Sequence, residues 1–114
     1  MTASLIAFVY ETQLSTTEAD LLSASSTEKK FLGSVYLTNT SASNVTVTLW
    51  RILTSTNGTV GSGGNWIFSE IIPAGRSVPV LPLFGQVLGN SMKISGLASV
   101  AGVVNVDISG TTET

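Results

Sequence analysis

The residue types that carry most protein chemistry are scarce in this sequence, which has no histidine and no cysteine. General acid–base work near neutral pH draws most often on His. A nucleophile relay needs such a base beside Ser or Cys, so neither machinery can be assembled in its usual form. What remains is carboxylate: Glu11, Glu18, Asp20, Glu28, Glu70, Asp107 and Glu113. A glycosidase needs two of these facing each other across a cleft. Glu18 and Asp20 would share a strand face, but beside Thr16 and Thr17 they read as a solvated turn. Asn105 and Asp107 offer oxygen donors at strand spacing, short of the clustered set that calcium takes. No residue is therefore assigned to catalysis, to a cofactor or to a metal. The expectation is a chain that is not an enzyme and turns over no glycan, peptide or phosphoester.

Two other patterns suggest chemistry and do not carry it. Gly61-Ser62-Gly63-Gly64 lacks the Lys of a phosphate-binding loop and no helical pattern follows it, so it reads as a flexible hairpin loop. Asn39-Thr40-Ser41, Asn44-Val45-Thr46 and Asn57-Gly58-Thr59 match the glycosylation acceptor pattern. That pattern recurs by chance in an Asn/Thr-rich chain, and these are read as incidental.

The elements that would position any site are strands. Period-2 segments alternate with Gly, Asn, Ser and Pro punctuation, and no stretch holds a helical period. Ala3 to Tyr10 reads as a strand. Glu18 to Ala24 reads as a short strand or one turn of helix. In the strand Lys30 to Asn39, Phe31, Val35 and Leu37 would share one face and Leu32 and Tyr36 the other, with Gly33 marking a bulge or close contact. Asn39 to Asn44 is a turn, because Asn and Ser side chains can satisfy their own nearby backbone groups. Val45 to Leu53 points Val45, Val47 and Leu49 inward and Thr46 and Thr48 outward, with Trp50 and Ile52 joining the outward set. Thr54 to Asn65 is a loop, with a tight turn at Asn57-Gly58. Trp66 to Ile72 is a strand closed by Pro73-Ala74-Gly75. Ser77 to Phe84 carries Pro79 and Pro82, which cannot donate to a ladder, and so belongs on an edge. Ser91 to Leu97 follows. In the last strand Val104, Val106 and Ile108 face one way, and Asn105, Asp107 and Ser109 the other.

These readings predict an all-β fold: a single antiparallel β-sandwich of seven or eight strands, jelly-roll-like or immunoglobulin-like. It would occupy 1–114 as one domain, with 110–114 a loose C-terminal tail. Charged residues make up 11% of the chain, against about 25% in ordinary soluble domains. Ser and Thr fill that space, at roughly a quarter of all residues. The net charge of -2 gives no basic stripe, since Lys29 and Lys30 are the only adjacent cations. No nucleic-acid partner is expected. No run approaches the length of a membrane span, and no membrane partner is expected either. The apolar run Leu5 to Val9 lacks a basic segment before it and a cleavage site after it, so it reads as a strand and not a signal peptide.

A surface so poor in charge suits a subunit that is covered by neighbours. The aromatic and apolar residues Trp50, Ile52, Trp66 and Phe68 are the candidate interface. With Phe84, the same aromatics could instead line a sugar-binding face, which makes a carbohydrate-binding or adhesive module the alternative reading.

Two stretches carry a resemblance: FLGSVYLTNTSASNVTVTL at Phe31 to Leu49, and the Ile72-Pro73-Ala74-Gly75 turn with LASVAGVVNVDISG at Leu97 to Gly110. Their order resembles small β-sandwich virion structural proteins of tailed bacteriophages. The resemblance implies a non-enzymatic structural subunit that decorates or cements the capsid or builds the neck or tail. The low charge and the apolar excess on both faces of Thr48 to Leu53 point to a homo-oligomer, expected as a trimer, and the assembly role points to a major capsid or other virion protein as partner. The localisation it implies is the virion, after synthesis in the host cytoplasm.

Overall fold

Alternation sets the strands, and their pairing sets the architecture. The computed structural model describes residues 5–25, 27–52, 66–89 and 92–113. The Thr54–Asn65 loop, with its Asn-Gly turn and glycine run, lies outside the described residues. The strands are β1 (Leu5–Gln13), β2 (Ala19–Ser23), β3 (Lys29–Asn39), β4 (Val45–Ile52), β5 (Trp66–Ile72), β6 (Ser77–Pro79), β7 (Val87–Gly89), β8 (Lys93–Ala98) and β9 (Val104–Glu113). The ambiguous Glu18–Ala24 segment is therefore strand.

The pairs are nested. β4 pairs with β5, β3 with β6 and β7, β2 with β8, and β1 with β9, all antiparallel. The chain thus runs out and back as one long ribbon closed at β4/β5. Folding this ribbon over on itself lays β9 beside β3 and β8 beside β4. The result is a first sheet in the order β1-β9-β3-β6, with β7 also on β3, and a second in the order β2-β8-β4-β5. A doubled-over antiparallel ribbon of this kind is a jelly roll, which decides between the two sandwich topologies. β6 and β7 together serve as the eighth strand. Between them a 3-10 turn at Leu81–Leu83 interrupts the ladder. The Pro-containing segment is indeed on the edge, where a missing N–H donor costs nothing.

The core lies between the sheets. Val45, Val47 and Leu49 of β4, Val104, Val106 and Ile108 of β9, and Val35 and Leu37 of β3 are buried, as their alternation requires.

Three expectations need correction. Phe31 is exposed and Leu32 buried, the reverse of the simple period-2 reading. The register of β3 on β9 shifts between Leu32 and Ser34, so Gly33 is an extra residue that reverses the pleat before Val35. The bulge was legible, but its effect on facing was not. Ile52, expected outward, is 2% exposed. Trp50 and Arg51 are both half-buried, so the alternation of β4 fails at that end, where β5 carries an extra residue between the partners of Leu49 and Trp50. Finally, residues 110–113 are not a loose tail. β9 continues through Glu113, with Thr111 opposite both Leu5 and Phe31 and Glu113 opposite Lys29. β1 pairs with this segment as far as Thr111 and β3 as far as Glu113.

The two motif turns also dock on each other. Asn39 is fully buried, and its amide nitrogen donates to the Ser43 carbonyl at 2.8 Å and to the Ile72 carbonyl at 3.0 Å. Its Oδ1 accepts from the Ser41 backbone N–H at 3.0 Å and the Ser41 hydroxyl at 2.8 Å. The Ala74 backbone N–H donates to Asn44 Oδ1 at 3.2 Å. The Asn39–Asn44 turn and the Pro73–Gly75 turn are one hydrogen-bonded corner.

Candidate functional site

Two of the four expected interface residues, Ile52 and Phe68, lie in the core. Phe68 stands opposite Leu49. Cross-strand partners share a sheet face, so Phe68 turns into the core and is 4% exposed. Ile52 is buried as described, and both are corrected from surface to core. Trp50 is half-buried. Trp66 is placed opposite Trp50 on β5, but its side chain lies outside the described residues. The outer face of the second sheet is nonetheless poor in charge near Trp50. Thr46 faces Ile71, which is 62% exposed, and Thr48 lies between Ser69 and the half-buried Leu97.

The outer face of the first sheet carries a more organised feature. Tyr36 of β3 stands opposite Asp107 of β9, and Ser34 opposite Ser109. On the far side of β9, Ala7 of β1 stands opposite Ser109, Val9 opposite Ile108 and Thr12 opposite Val106. Two β1 positions, Tyr10 and Glu11, therefore fall opposite Asp107 alone, which is a bulge. The outcome is two short rows across three strands: Tyr10, Asp107 and Tyr36, then Ala7, Ser109 and Ser34. These six residues line an open hollow of about 100 Å³.

Local contacts fix the walls and floor. The Tyr36 ring meets Phe84 edge-on, with centroids 5.9 Å apart and planes at 65°. The Ser34 and Ser109 hydroxyls are hydrogen-bonded at 2.6 Å. Tyr10 is 68% and Tyr36 42% exposed, so both rings present area to solvent.

Two ion pairs lie elsewhere among the described residues. Lys30 Nζ donates to Glu28 at 2.5 Å and to the Ser23 carbonyl at 2.8 Å, and lies 5.9 Å from the Phe8 ring centroid. This ties β3 to the end of β2. The Lys30 hydrogen bond, helped by the Ser25 backbone N–H, holds the Glu28 carboxyl below its ordinary pKa. Asp20 pairs with Lys93 at 3.1 Å. Among the described residues, no three carboxylates come together as a metal site would require.

Sequence reasoning placed Tyr36 on the face away from Val35 and missed Tyr10 altogether. A signal for the hollow would have required knowing that β1, β9 and β3 are neighbours. Nothing local in the sequence announces that order.

No family model and no curated protein matches the chain. Among solved structures, the chain is similar to one from Bacillus endospore appendages, a family of disulfide-linked pili, at a TM-score of 0.52 and 13% identity. That match covers 99% of this chain and 87% of the appendage chain. A chain from infectious bursal disease virus Gx strain matches at a TM-score of 0.46 and 15% identity, over 97% of this chain but 31% of the viral one. The VP2 subviral particle of the same virus matches at 0.42 and 16%, again over 31% of that chain. This chain therefore spans under a third of those viral chains. The fold is shared with the appendage chain, and the likeness shows the fold alone.

Proposed function

We propose that this chain is a non-enzymatic structural subunit that associates with copies of itself in a larger particle. The observation that carries the reading is the two-way match with the pilus chain. The match covers 99% of this chain and 87% of that one. The scarcity of charge and the apolar, hydroxyl-rich outer face around Trp50 and Ile71 support the same role. The pili are disulfide-linked, whereas this chain has no cysteine. Disulfides therefore play no part in its own contacts.

The finer reading follows the sequence resemblance: a tailed-phage virion protein that decorates or cements the capsid, as a trimer with closed cyclic symmetry. Sedimentation of the purified chain, alone and with its shell protein, tests both levels. The expected result is a trimer that co-sediments with shells and is unchanged by reductant. Trp50→Ala or Ile71→Ser weakens association by about 2 kcal/mol at an anchor position, with little change in melting temperature. A monomer that ignores the shell at all concentrations overturns the reading. An open-ended filament in place of a closed trimer overturns the finer reading and keeps the coarser one.

A further inference from the structure

We propose that the outer edge of β5 docks on β5 of a second copy of this chain, the two strands pairing antiparallel about a two-fold axis at Ser69. The inference rests on the coarser reading above, self-association, and names a contact for it. That contact is two-fold and so is separate from the three-fold one of the finer reading.

The first sheet ends in β1 and in β6 with β7, and the second ends in β2 and β5. An open edge is a template for another strand, and folded proteins blunt it with short strands, bulges, charges or Pro. Three of these edges are blunted. The β6–β7 edge is two three-residue strands, with Pro79 in the first and a 3-10 turn between them. β1 shifts register twice against β9. β2 has five residues, one register shift and the Asp20–Lys93 ion pair. β5, by contrast, has seven residues without Pro or Gly, and its register on β4 is regular from Phe68 to Ile72. Ser69, Glu70 and Ile71 are exposed in succession, which leaves that edge open.

The direction of the β5 backbone follows from its neighbour. The Thr46 N–H donates to the Ser99 hydroxyl, and the Thr46 carbonyl accepts from the Ser99 N–H, so Thr46 is turned towards β8. Direction alternates along a strand, and Val45, Val47 and Leu49 are therefore turned towards β5. Their partners Ile72, Glu70 and Phe68 face β4, which directs the Ser69 and Ile71 N–H and C=O groups outward. Ser69 is also the middle residue of β5. A two-fold axis there lets the two copies of Ser69 exchange both N–H···O bonds and sets Glu70 opposite Phe68. Moving the axis to Glu70 would set two carboxylates opposite each other, which is unfavourable. A strand pair roughly 24 Å long covers less than the about 800 Å² per partner of a standard interface. The contact is therefore weak in solution and forms by mass action.

The test is amide exchange followed by NMR on the full chain between about 10 μM and about 1 mM, with sedimentation of the same samples. The expected result is exchange at Ser69 and Ile71 that slows severalfold with concentration, while Phe68 and Glu70, which face β4, change little. Ser69→Pro removes an outward N–H at an edge position and abolishes the protection of Ile71 without loss of the fold. Ser69→Lys and Ser69→Glu, each alone, abolish it by opposing like charges, and an equimolar mixture of the two restores it. Trp50→Ala leaves it in place. Self-association without concentration-dependent protection of Ser69 and Ile71 overturns the inference and leaves the self-association reading standing. A mixture that fails to regain protection overturns the inference too. Protection that appears only when shell protein is added overturns the self-pairing and gives the edge to that partner. A chain that is monomeric at every concentration overturns the inference and the reading together.

Discussion

Gly110→Ala is expected to destabilise the fold by about 3 kcal/mol or more, the upper end for an overpacking substitution. The reason is a close approach of backbone to backbone. At the β3 bulge, a Cβ on Gly110 would land on the Phe31 carbonyl oxygen, 2.9 Å from the carbonyl carbon and 3.0 Å from the Gly33 nitrogen. No side-chain rotation relieves a clash with main chain, so β3 and β9 must separate at the point where the bulge joins them. For a domain of this size the loss corresponds to a fall in Tm on the order of 10 °C. Gly33→Ala is the internal comparison. A Cβ there meets the Ser109 carbonyl oxygen at 3.4 Å, which a small shift accommodates, so its effect is expected to be much the smaller. Thermal unfolding of both variants decides the point. Equal, near-native Tm values would mean that the strands do not approach as closely as described.

Asn39→Ala is expected to cost about 2–4 kcal/mol, because several groups around one buried side chain lose partners together. Removing the amide strips the Ile72 and Ser43 carbonyls of a donor and the Ser41 N–H of its acceptor. Asn39→Asp sharpens the test. It keeps an acceptor for Ser41 but turns a carboxylate oxygen towards two carbonyl oxygens inside the fold. It is therefore expected to be at least as damaging as Ala, although it is the closer match in shape. Denaturant unfolding of the two variants gives the comparison. If Asp is tolerated and Ala is not, the donated bonds to Ile72 and Ser43 contribute little.

These two sites also show how far the sequence could be read. Strand positions were legible because Val45-Val47-Leu49 and Val104-Val106-Ile108 alternate cleanly, and such patterns depend only on neighbours along the chain. The self-satisfying turn after Asn39 was legible for the same reason. Its second partner, Ile72, was not, because the Asn39 amide bonds it across 33 residues. The bulge at Gly33 was visible as a glycine in a strand. Its consequence for Phe31 and Leu32 depended on register with β9, which pairing alone fixes. Ile52 was misread by extending a period of two to the end of β4, where Trp50 and Arg51 are both half-buried and Ile52 turns into the core. The hollow was hidden for the most general reason: its rows come from β1, β9 and β3, strands adjacent in space and remote in sequence.

The nested ribbon has a kinetic consequence. Closing a loop costs entropy that grows with its length, so bringing β1 directly to β9 would be the most expensive first step. Once β4 and β5 have paired, each outer pair adds only the increment between one rung and the next. The economical route zips from the β4/β5 end outward, with β1 last. Such non-local pairing places folding in the range of about milliseconds to seconds. Pulse-labelled hydrogen exchange is expected to protect β4 and β5 amides before those of β1, and early protection of β1 would contradict that order. Run in reverse, the same order makes β1 the first strand to leave when the sandwich is heated or pulled.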